Sequence, residues 1–201
     1  MEGIRESQTS GGESMDKIET LLEVMYKRRS IRCYQEDKQV EQDKIIMLLK
    51  AAMAAPSACN LQPWEFIIVN EKDGIKKLRE CIQNDNGRYY NAPAAFIVCC
   101  NTSYLPWEGQ GEMDCGAAIE NILLAATVME LGTVWIGAFD DHSIRKNFDI
   151  PDHVVVNGVV YFGYPAEEKT PRTQYTEESV YWQKYDVERE HPTRSIDLRF
   201  L

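Results

Sequence analysis

The segment 112–131 restricts the possible folds of this chain more than any other stretch. Its apolar residues recur at helical spacing and cover most of the helix circumference, and Gly132 follows where a left-handed residue commonly ends a helix. A helix that is apolar on most sides is not stable on a water-exposed surface. The segment therefore predicts a long helix that is buried in the core or in a subunit interface.

Shorter periodic segments surround this helix, and helices alternate with strands. Asp16 is expected to cap a helix over 16–28, with Glu19 three residues later, and Asp141 is expected to cap a brief helix that runs through Phe148. Two more helices are predicted over 40–53 and 73–82, and strands over 65–69, 94–100, 133–136 and 154–162.

Length and charge limit the functions open to the chain. Its 201 residues, 44% of them hydrophobic, suffice for one domain with a substantial core. The net charge of −10 argues against binding of nucleic acid by a basic surface. The longest apolar runs, 66–69 and 94–100, are too short to span a bilayer, and the N-terminus has no apolar signal core. We expect a soluble, cytoplasmic protein with no nucleic-acid or membrane partner.

Six cysteines are scattered without any C-x-x-C pair, and no cysteine or histidine recurs at the spacing that zinc requires. Most of these thiols are therefore expected to be buried in a protein of a reducing compartment. An iron–sulfur role is the weaker alternative, because cluster ligation needs grouped thiolates. We predict no metal site.

The two ends of the chain differ in composition from its middle. Residues 1–14 are rich in Ser, Gly and Glu and are predicted to form a disordered leader before a domain over 15–165. Residues 166–201 are predicted to form an extended C-terminal arm of the same domain, ending in a strand in which Ile196, Leu198 and Phe200 alternate with charged residues. Such an arm needs a surface, and a partner subunit is expected to provide it.

A basic segment, R-R-S-I-R at positions 28–32, directly follows the first predicted helix. In an extended chain Arg28, Ser30 and Arg32 project to one side, where guanidinium groups can bind a phosphate through paired hydrogen bonds. This segment predicts a local anion site. The alternative is a solvated surface turn.

A second polar segment, A-P-S-A-C-N-L-Q-P-W at 55–64, lies between a helix and a strand. Its two prolines stiffen the loop, and Asn60 and Gln62 can donate to and accept from the edge of a planar heterocycle. The loop is predicted to contact such a ligand, with a structural corner as the alternative. We predict that Trp64 is a core residue.

Together these two segments resemble the nitroreductase family of FMN enzymes. Residues 115–126, 131–137 and the closing F-G-Y-P at 162–165 agree with the family pattern, and all motifs follow in the family's order between 18 and 172. The resemblance implies an α+β fold, a three-layer α/β/α sandwich around a mainly antiparallel mixed sheet. It also implies a homodimer that holds FMN between its subunits.

The resemblance assigns roles to individual positions. Arg28, Arg29, Ser30 and Arg32 match the segment that holds the FMN phosphate, ribityl chain and pyrimidine side, and Arg32 would stabilise negative charge on the reduced ring. A second set matches the loop that the family contributes from the other subunit: Pro56, Ser57, Ala58 and Asn60, with Gln62 as a weaker match.

Three residues, Ile136, Gly137 and Ala138, match the stretch that passes the reactive edge of the flavin. Arg172 matches a basic residue that reaches the phosphate, but Thr173 and Gln174 follow it where the family has a second basic residue, and Lys169 can take that place.

Other contacts are less specific. Asn84 and Asn86 are candidates for a pyrimidine contact, and the segment 104–111, with Leu105, Trp107 and Gln110, is predicted to be either a lid or a surface loop. Cys59 is expected to be a packing residue, with a reactive thiol as the alternative.

The function implied by the resemblance is hydride transfer from NADH or NADPH, through bound FMN, to a nitro compound, quinone or similar conjugated acceptor in a ping-pong cycle. Neither a G-x-G-x-x-G motif after a strand nor a compelling His or carboxylate pair is present, so no separate nicotinamide domain and no certain catalytic side chain are predicted. The alternatives are another FMN enzyme on this scaffold, such as an enone reductase, a dehalogenase or a flavin-modifying enzyme, and a non-enzymatic protein that binds or delivers flavin.

Overall fold

The computed structural model describes residues 10–82, 91–103, 105–106, 109–171 and 175–190. The α-helices in this part of the chain are α1 (Ser10–Lys27), α2 (Gln42–Met53), α3 (Lys72–Glu80), α4 (Gln110–Val128) and α5 (Asp141–Asn147). The strands are β1 (Trp64–Val69), β2 (Ala94–Asn101), β3 (Gly132–Ile136) and β4 (Val154–Gly163), and short 3-10 turns lie at Ala58–Asn60 and Glu177–Ser179. None of the helices described is long and apolar enough to cross a membrane.

The four strands form one antiparallel sheet in the order β1-β2-β4-β3. The central pair, β2 and β4, is rich in β-branched and aromatic residues and almost wholly buried, as expected for strands covered on both faces. β4 carries one extra residue, because Val98 pairs with Gly158 and Cys99 with Val156. Ser30 forms a parallel bridge to Thr133 of β3 and so makes the sheet mixed at this edge.

Two apolar clusters cover the two faces of the sheet. One contains Ile75 and Leu78 of α3 with Ile144 of α5, and the other contains Leu48 of α2 with Ile119 of α4. The arrangement is therefore three-layered, with α3 and α5 on one side and α2 and α4 on the other. This confirms the predicted α+β class and three-layer architecture.

The segment 112–131, which is predicted to form a long buried helix, contains most of α4, and eight residues of α4 are buried. Its C-terminal end differs from the prediction. Glu130, with a φ of 59°, takes the left-handed position, whereas Gly132 is the first residue of β3. Gly132 is needed for close packing, since a Cβ there would lie 2.7 Å from Ile31 Cγ2.

Two predicted helix caps were wrong. α1 begins at Ser10, so Asp16 lies inside the helix, where its carbonyl oxygen accepts a hydrogen bond from Thr20 Oγ1. Residues 1–9 lie outside the described residues. At α5 the cap is Asp140, whose carboxylate accepts from the Ser143 backbone N–H at 3.2 Å, and Asp141 is the first helical residue.

Four of the six cysteines are buried, as predicted for most of them, and only Cys33 and Cys59 are exposed. Burial raises the pKa of the Cys99 thiol to about 12 and also raises that of Cys81. The predicted terminal strand at 191–201 lies outside the described residues.

Candidate active site

The basic segment 28–32 runs along the edge of the sheet. The Ile31 N–H donates to Thr133 O at 2.8 Å, which fixes the segment against the start of β3. Tyr34, only 1% exposed, anchors the following turn because its hydroxyl donates to Ile31 O at 2.6 Å. The backbone of the segment is therefore attached to the edge of the sheet.

Basic side chains gather at this edge from two parts of the chain. Arg28 approaches Glu120 of α4, with 3.6 Å between Nε and Oε1, and Arg29 donates to the carbonyl oxygen of Tyr26. Lys169 Nζ donates to Ser30 O at 2.6 Å. The structure thus brings Lys169 to the backbone of Ser30 in the basic segment, while Arg28 of the same segment approaches α4.

Glu167 is a further member of this cluster that the sequence did not reveal. Its Oε1 accepts from the backbone N–H of Arg32 at 2.6 Å and of Cys33 at 3.2 Å, and it lies 3.1 Å from Lys169 Nζ. Burial raises the pKa of this carboxyl, but the hydrogen bonds from Arg32 and Lys169 outweigh burial and lower it. No spacing rule indicates a single acid in a polar stretch, so only the fold identifies it.

The predicted flavin-edge residues lie at the other end of the same strand. Ile136 is the last residue of β3 and is buried, while Gly137 and Ala138 are exposed. A Cβ at Gly137 would meet no atom within 4 Å. From Thr133 to Gly137 an extended strand advances roughly 13 Å, so the basic cluster and this open glycine flank one strand edge.

The loop 56–62 is rigid and strained. Cys59, Asn60 and Gln62 have φ values of 51°, 55° and 49°, in the left-handed region that residues with a Cβ rarely adopt. The Gln62 N–H donates to Ser57 Oγ at 3.0 Å, and the Leu61 N–H donates to Ala58 O at 3.0 Å. The side chains of Asn60 and Gln62 are exposed, whereas Trp64 is buried as predicted.

Asp114 of α4 holds this loop and was also missed by the sequence. Its carboxylate is buried and accepts from the Ala58 backbone N–H. The loop therefore attaches to α4, whereas the basic segment attaches to β3 and to the chain after β4. Arg28 is the member of the basic segment that also approaches α4, through Glu120.

A cavity of about 710 Å³ opens between the end of α1, the end of α4 and the segment after β4. Tyr26, Ile31 and Leu131 contribute apolar surface to its lining. Its charged lining is mixed, with three cations (Lys27, Arg29 and Lys169) and four carboxylates (Glu23, Glu130, Glu167 and Glu168).

Several predicted contacts lie outside the described residues: Arg172, Asn84, Asn86, Tyr104 and Trp107. In the part of the chain that the structure describes, no group of three or more His, Cys, Asp or Glu side chains is placed to hold a metal ion.

Comparisons with known proteins identify the family of the chain. The sequence profile of the Nitroreductase family matches residues 25–94 and 83–164. An Archaeoglobus fulgidus protein named "Putative NADH dehydrogenase/NAD(P)H nitroreductase" is 42% identical over 76% of this chain and 89% of its own length. A Bacillus subtilis protein named FMN reductase [NAD(P)H] is 26% identical over 84% of this chain and 75% of its own. The solved structure of an FMN-dependent nitroreductase from Clostridium difficile superposes with a TM-score of 0.73 at 29% identity, covering 82% of this chain and 99% of that one.

Proposed function

This chain belongs to the nitroreductase family, and from that premise we propose that it is an FMN-dependent oxidoreductase that uses NAD(P)H to reduce a nitro compound, quinone or similar conjugated acceptor. One observation carries the proposal. The edge strand β3 has a cluster of cations at its start and an open glycine at its end. An elongated ligand with an anionic group at one end and a planar ring at the other matches that arrangement.

The residues present fit FMN. Arg28, Arg29, Ser30 and Arg32 offer guanidinium and hydroxyl donors for a phosphate and a polyol chain, and Lys169 adds an ammonium group beside Ser30. The missing Cβ at Gly137 leaves room for a ring to approach the backbone at the end of β3. We assign Ile136, Gly137 and Ala138 to the ring edge.

FMN, when bound, supplies hydride transfer in both halves of the proposed ping-pong cycle, from NAD(P)H and to the acceptor. The protein's own contribution is to position the reactants and to stabilise charge. Arg32 would place a cation where the reduced ring gathers negative charge. No side chain is assigned as nucleophile or general acid, because solvent can supply the proton.

We further propose that the active protein is a homodimer in which Pro56, Ser57, Ala58, Asn60 and Gln62 of one subunit contact the flavin of the other. The different anchoring of the loop, to Asp114 of α4, and of the backbone of the basic segment, to Thr133 of β3, favours a shared site. So does a stripe of exposed apolar side chains on α1, at Met15, Ile18, Leu21 and Met25, which is unfavourable in water. The free thiols favour a reducing compartment, and we propose a cytoplasmic location.

The visible absorption spectrum of the purified protein tests this proposal. We expect flavin bands that bleach on anaerobic addition of NADH or NADPH and return when a nitroarene or a quinone is added. A protein that remains colourless after incubation with FMN would contradict the cofactor assignment. Flavin that is indifferent to both nucleotides would instead favour a flavin-delivery role.

A further inference from the structure

Asp114 is the one charged side chain that is fully buried among the residues described, with 5% of its surface exposed. It lies in the second turn of α4, beside the loop 56–62. Burying a carboxylate is costly unless hydrogen bonds replace its hydration. The hydrogen-bond partners of Asp114 therefore show which interactions offset the cost of burying it.

Those partners are amide groups. The Ala58 backbone N–H donates to both carboxylate oxygens, at 3.2 Å to each, and Gln110 Nε2 donates to Oδ1 at 3.3 Å. No Lys or Arg of the described residues forms an ion pair with Asp114. Among the described residues the hydrogen-bond partners of this carboxylate are amide N–H groups, and its main structural effect is to fix the backbone at Ala58.

The backbone that follows Ala58 is unfavourable by itself. Cys59 and Asn60 are consecutive left-handed residues with a Cβ, and such a conformation persists only when the surroundings enforce it. The N–H of Ala58 begins this turn, so the hydrogen bond to Asp114 sets where the turn starts and how it lies against α4. The exposed Asn60 side chain is directed by the conformation that results.

α4 also approaches the basic segment 28–32. Glu120 of the same helix pairs with Arg28, and six residues from Asp114 correspond to roughly 9 Å along the helix axis. The strained loop and the first arginine of the basic cluster are therefore both neighbours of one helix, and only the contact of Asp114 with the loop is a close hydrogen bond.

We propose that Asp114 is a positioning residue for the flavin site: its carboxylate holds the Cys59–Asn60 turn in the strained conformation that presents Asn60 to FMN bound by the partner subunit. This inference rests on the proposed FMN function and on the shared site. Asp114 itself is not expected to touch the flavin.

Two variants of nearly equal shape separate the hydrogen bond from the charge. Asp114→Leu removes both acceptor oxygens, whereas Asp114→Asn removes the charge and keeps one acceptor. We expect the Kd for FMN, measured by quenching of flavin fluorescence, to rise about tenfold or more for Asp114→Leu, as for loss of a hydrogen bond to a charged group. Asp114→Asn is expected to stay within about threefold of wild type.

The matched control is Glu112→Gln, which removes an exposed carboxylate from the same helix and is expected to leave the Kd unchanged. Hydrogen exchange of residues 58–62 provides a readout that needs no flavin. It should accelerate in Asp114→Leu and stay near wild type in Asp114→Asn. If leucine does not pack at this position, Asp114→Ala provides a second variant without an acceptor.

A mixed dimer tests the contribution of the loop across the interface. One subunit carries Arg28→Ala and the other carries Asp114→Leu, so a shared site leaves one of the two sites free of both substitutions. We expect half of the sites to bind FMN with wild-type affinity, although each variant homodimer binds weakly. A loop that serves its own subunit would leave no tight site.

The possible failures are distinguishable. If wild type binds FMN and Asp114→Leu binds it equally well while loop exchange accelerates, the inference about Asp114 is overturned and the FMN function stands. If exchange does not accelerate, Asp114 does not hold the turn. If wild type binds no FMN at all, the proposed function fails and the inference fails with it.

Discussion

Arg28 is the residue on which the placement of the phosphate depends most. Its guanidinium is half-buried, and the carboxylate that it approaches, that of Glu120, is 3.6 Å away and 48% exposed. An ion pair of this length and exposure contributes little to stability, so a phosphate dianion can replace Glu120 at low cost. We expect Arg28→Ala to release FMN, with a rise in Kd of about tenfold or more, while the protein stays folded.

Two further variants serve as a control and as a second test of this prediction. Lys76→Ala removes an exposed cation from α3, in the opposite helical layer, and should leave FMN affinity unchanged. Glu120→Gln removes the competing carboxylate and should strengthen FMN binding. Titration by flavin fluorescence measures all three, and stoichiometric FMN at unchanged affinity in Arg28→Ala would show that the phosphate lies elsewhere.

Because the pKa of Glu167 is lowered in the folded protein, we expect the free energy of unfolding to depend on pH in the acidic range. Its pKa is lowered in the folded protein from the ordinary value of 4.5, despite burial, because Arg32 and Lys169 donate to the carboxylate. A lowered pKa means that the stabilisation is complete above 4.5 and is lost as the pH falls through the folded value. The difference in Tm between wild type and Glu167→Gln should therefore be constant near neutral pH and shrink below pH 4.5. A difference that grows on acidification would contradict the assignment.

At the scale of the elements, β3 begins with one glycine, Gly132, and is followed directly by another, Gly137, and the space around the two differs. Gly132 faces Ile31, and a Cβ would come within 2.7 Å of it, whereas the space beside Gly137 is open. We expect Gly132→Ala to lower the free energy of unfolding by about 1–3 kcal/mol through overpacking. Gly137→Val should leave the unfolding midpoint near wild type but block FMN binding.

Urea unfolding and flavin titration of both variants check this contrast. Retention of FMN by Gly137→Val would place the ring away from the end of β3. A wild-type midpoint in Gly132→Ala would mean that Ile31 can move aside.

The helices and strands were largely predictable from the sequence, whereas their ends were less predictable. Periodicity identified the helices and strands because burial on one or both faces imposes a repeating pattern, and α4 and β2 are the clearest cases. Caps were less predictable. Asp140 and Asp141 are adjacent and chemically identical, so only the chain path decides which carboxylate accepts from Ser143. Glu130 took the left-handed position predicted for Gly132 because the strand required the glycine for packing.

For the candidate site, continuous segments were predictable from the sequence and isolated residues were not. Segments with several unusual residues in a row, such as 28–32 and 56–62, can be recognised from sequence. Asp114 and Glu167 act as isolated residues on backbone N–H groups that are distant in sequence, 56 positions away for Ala58. No local pattern encodes such a pairing.

At the scale of the whole molecule, α1 is the element that most needs a partner. The exposed side chains Met15, Ile18, Leu21 and Met25 recur at helical spacing and so share one face. We expect Ile18→Glu combined with Leu21→Glu to shift the protein from dimer to monomer, because burying two carboxylates in an interface is unfavourable. Sedimentation velocity over a range of concentrations measures the shift.

Loss of FMN should accompany dissociation if the site is shared. A monomeric variant that retains tightly bound FMN would show that each subunit carries a complete site. A variant that remains dimeric would show that another surface mediates association.

The burial of the cysteines determines which of them peroxide can oxidise. Reduced flavins pass electrons to oxygen and generate peroxide, and peroxide attacks the thiolate form of cysteine. Cys81, Cys99, Cys100 and Cys115 are buried and hold their protons, since burial raises the pKa of each. The exposed pair, Cys33 and Cys59, lies beside the basic segment and within the strained loop. Oxidative damage from the protein's own turnover would therefore spare the core and accumulate at the two segments that we propose hold the cofactor, so that activity declines long before the fold does.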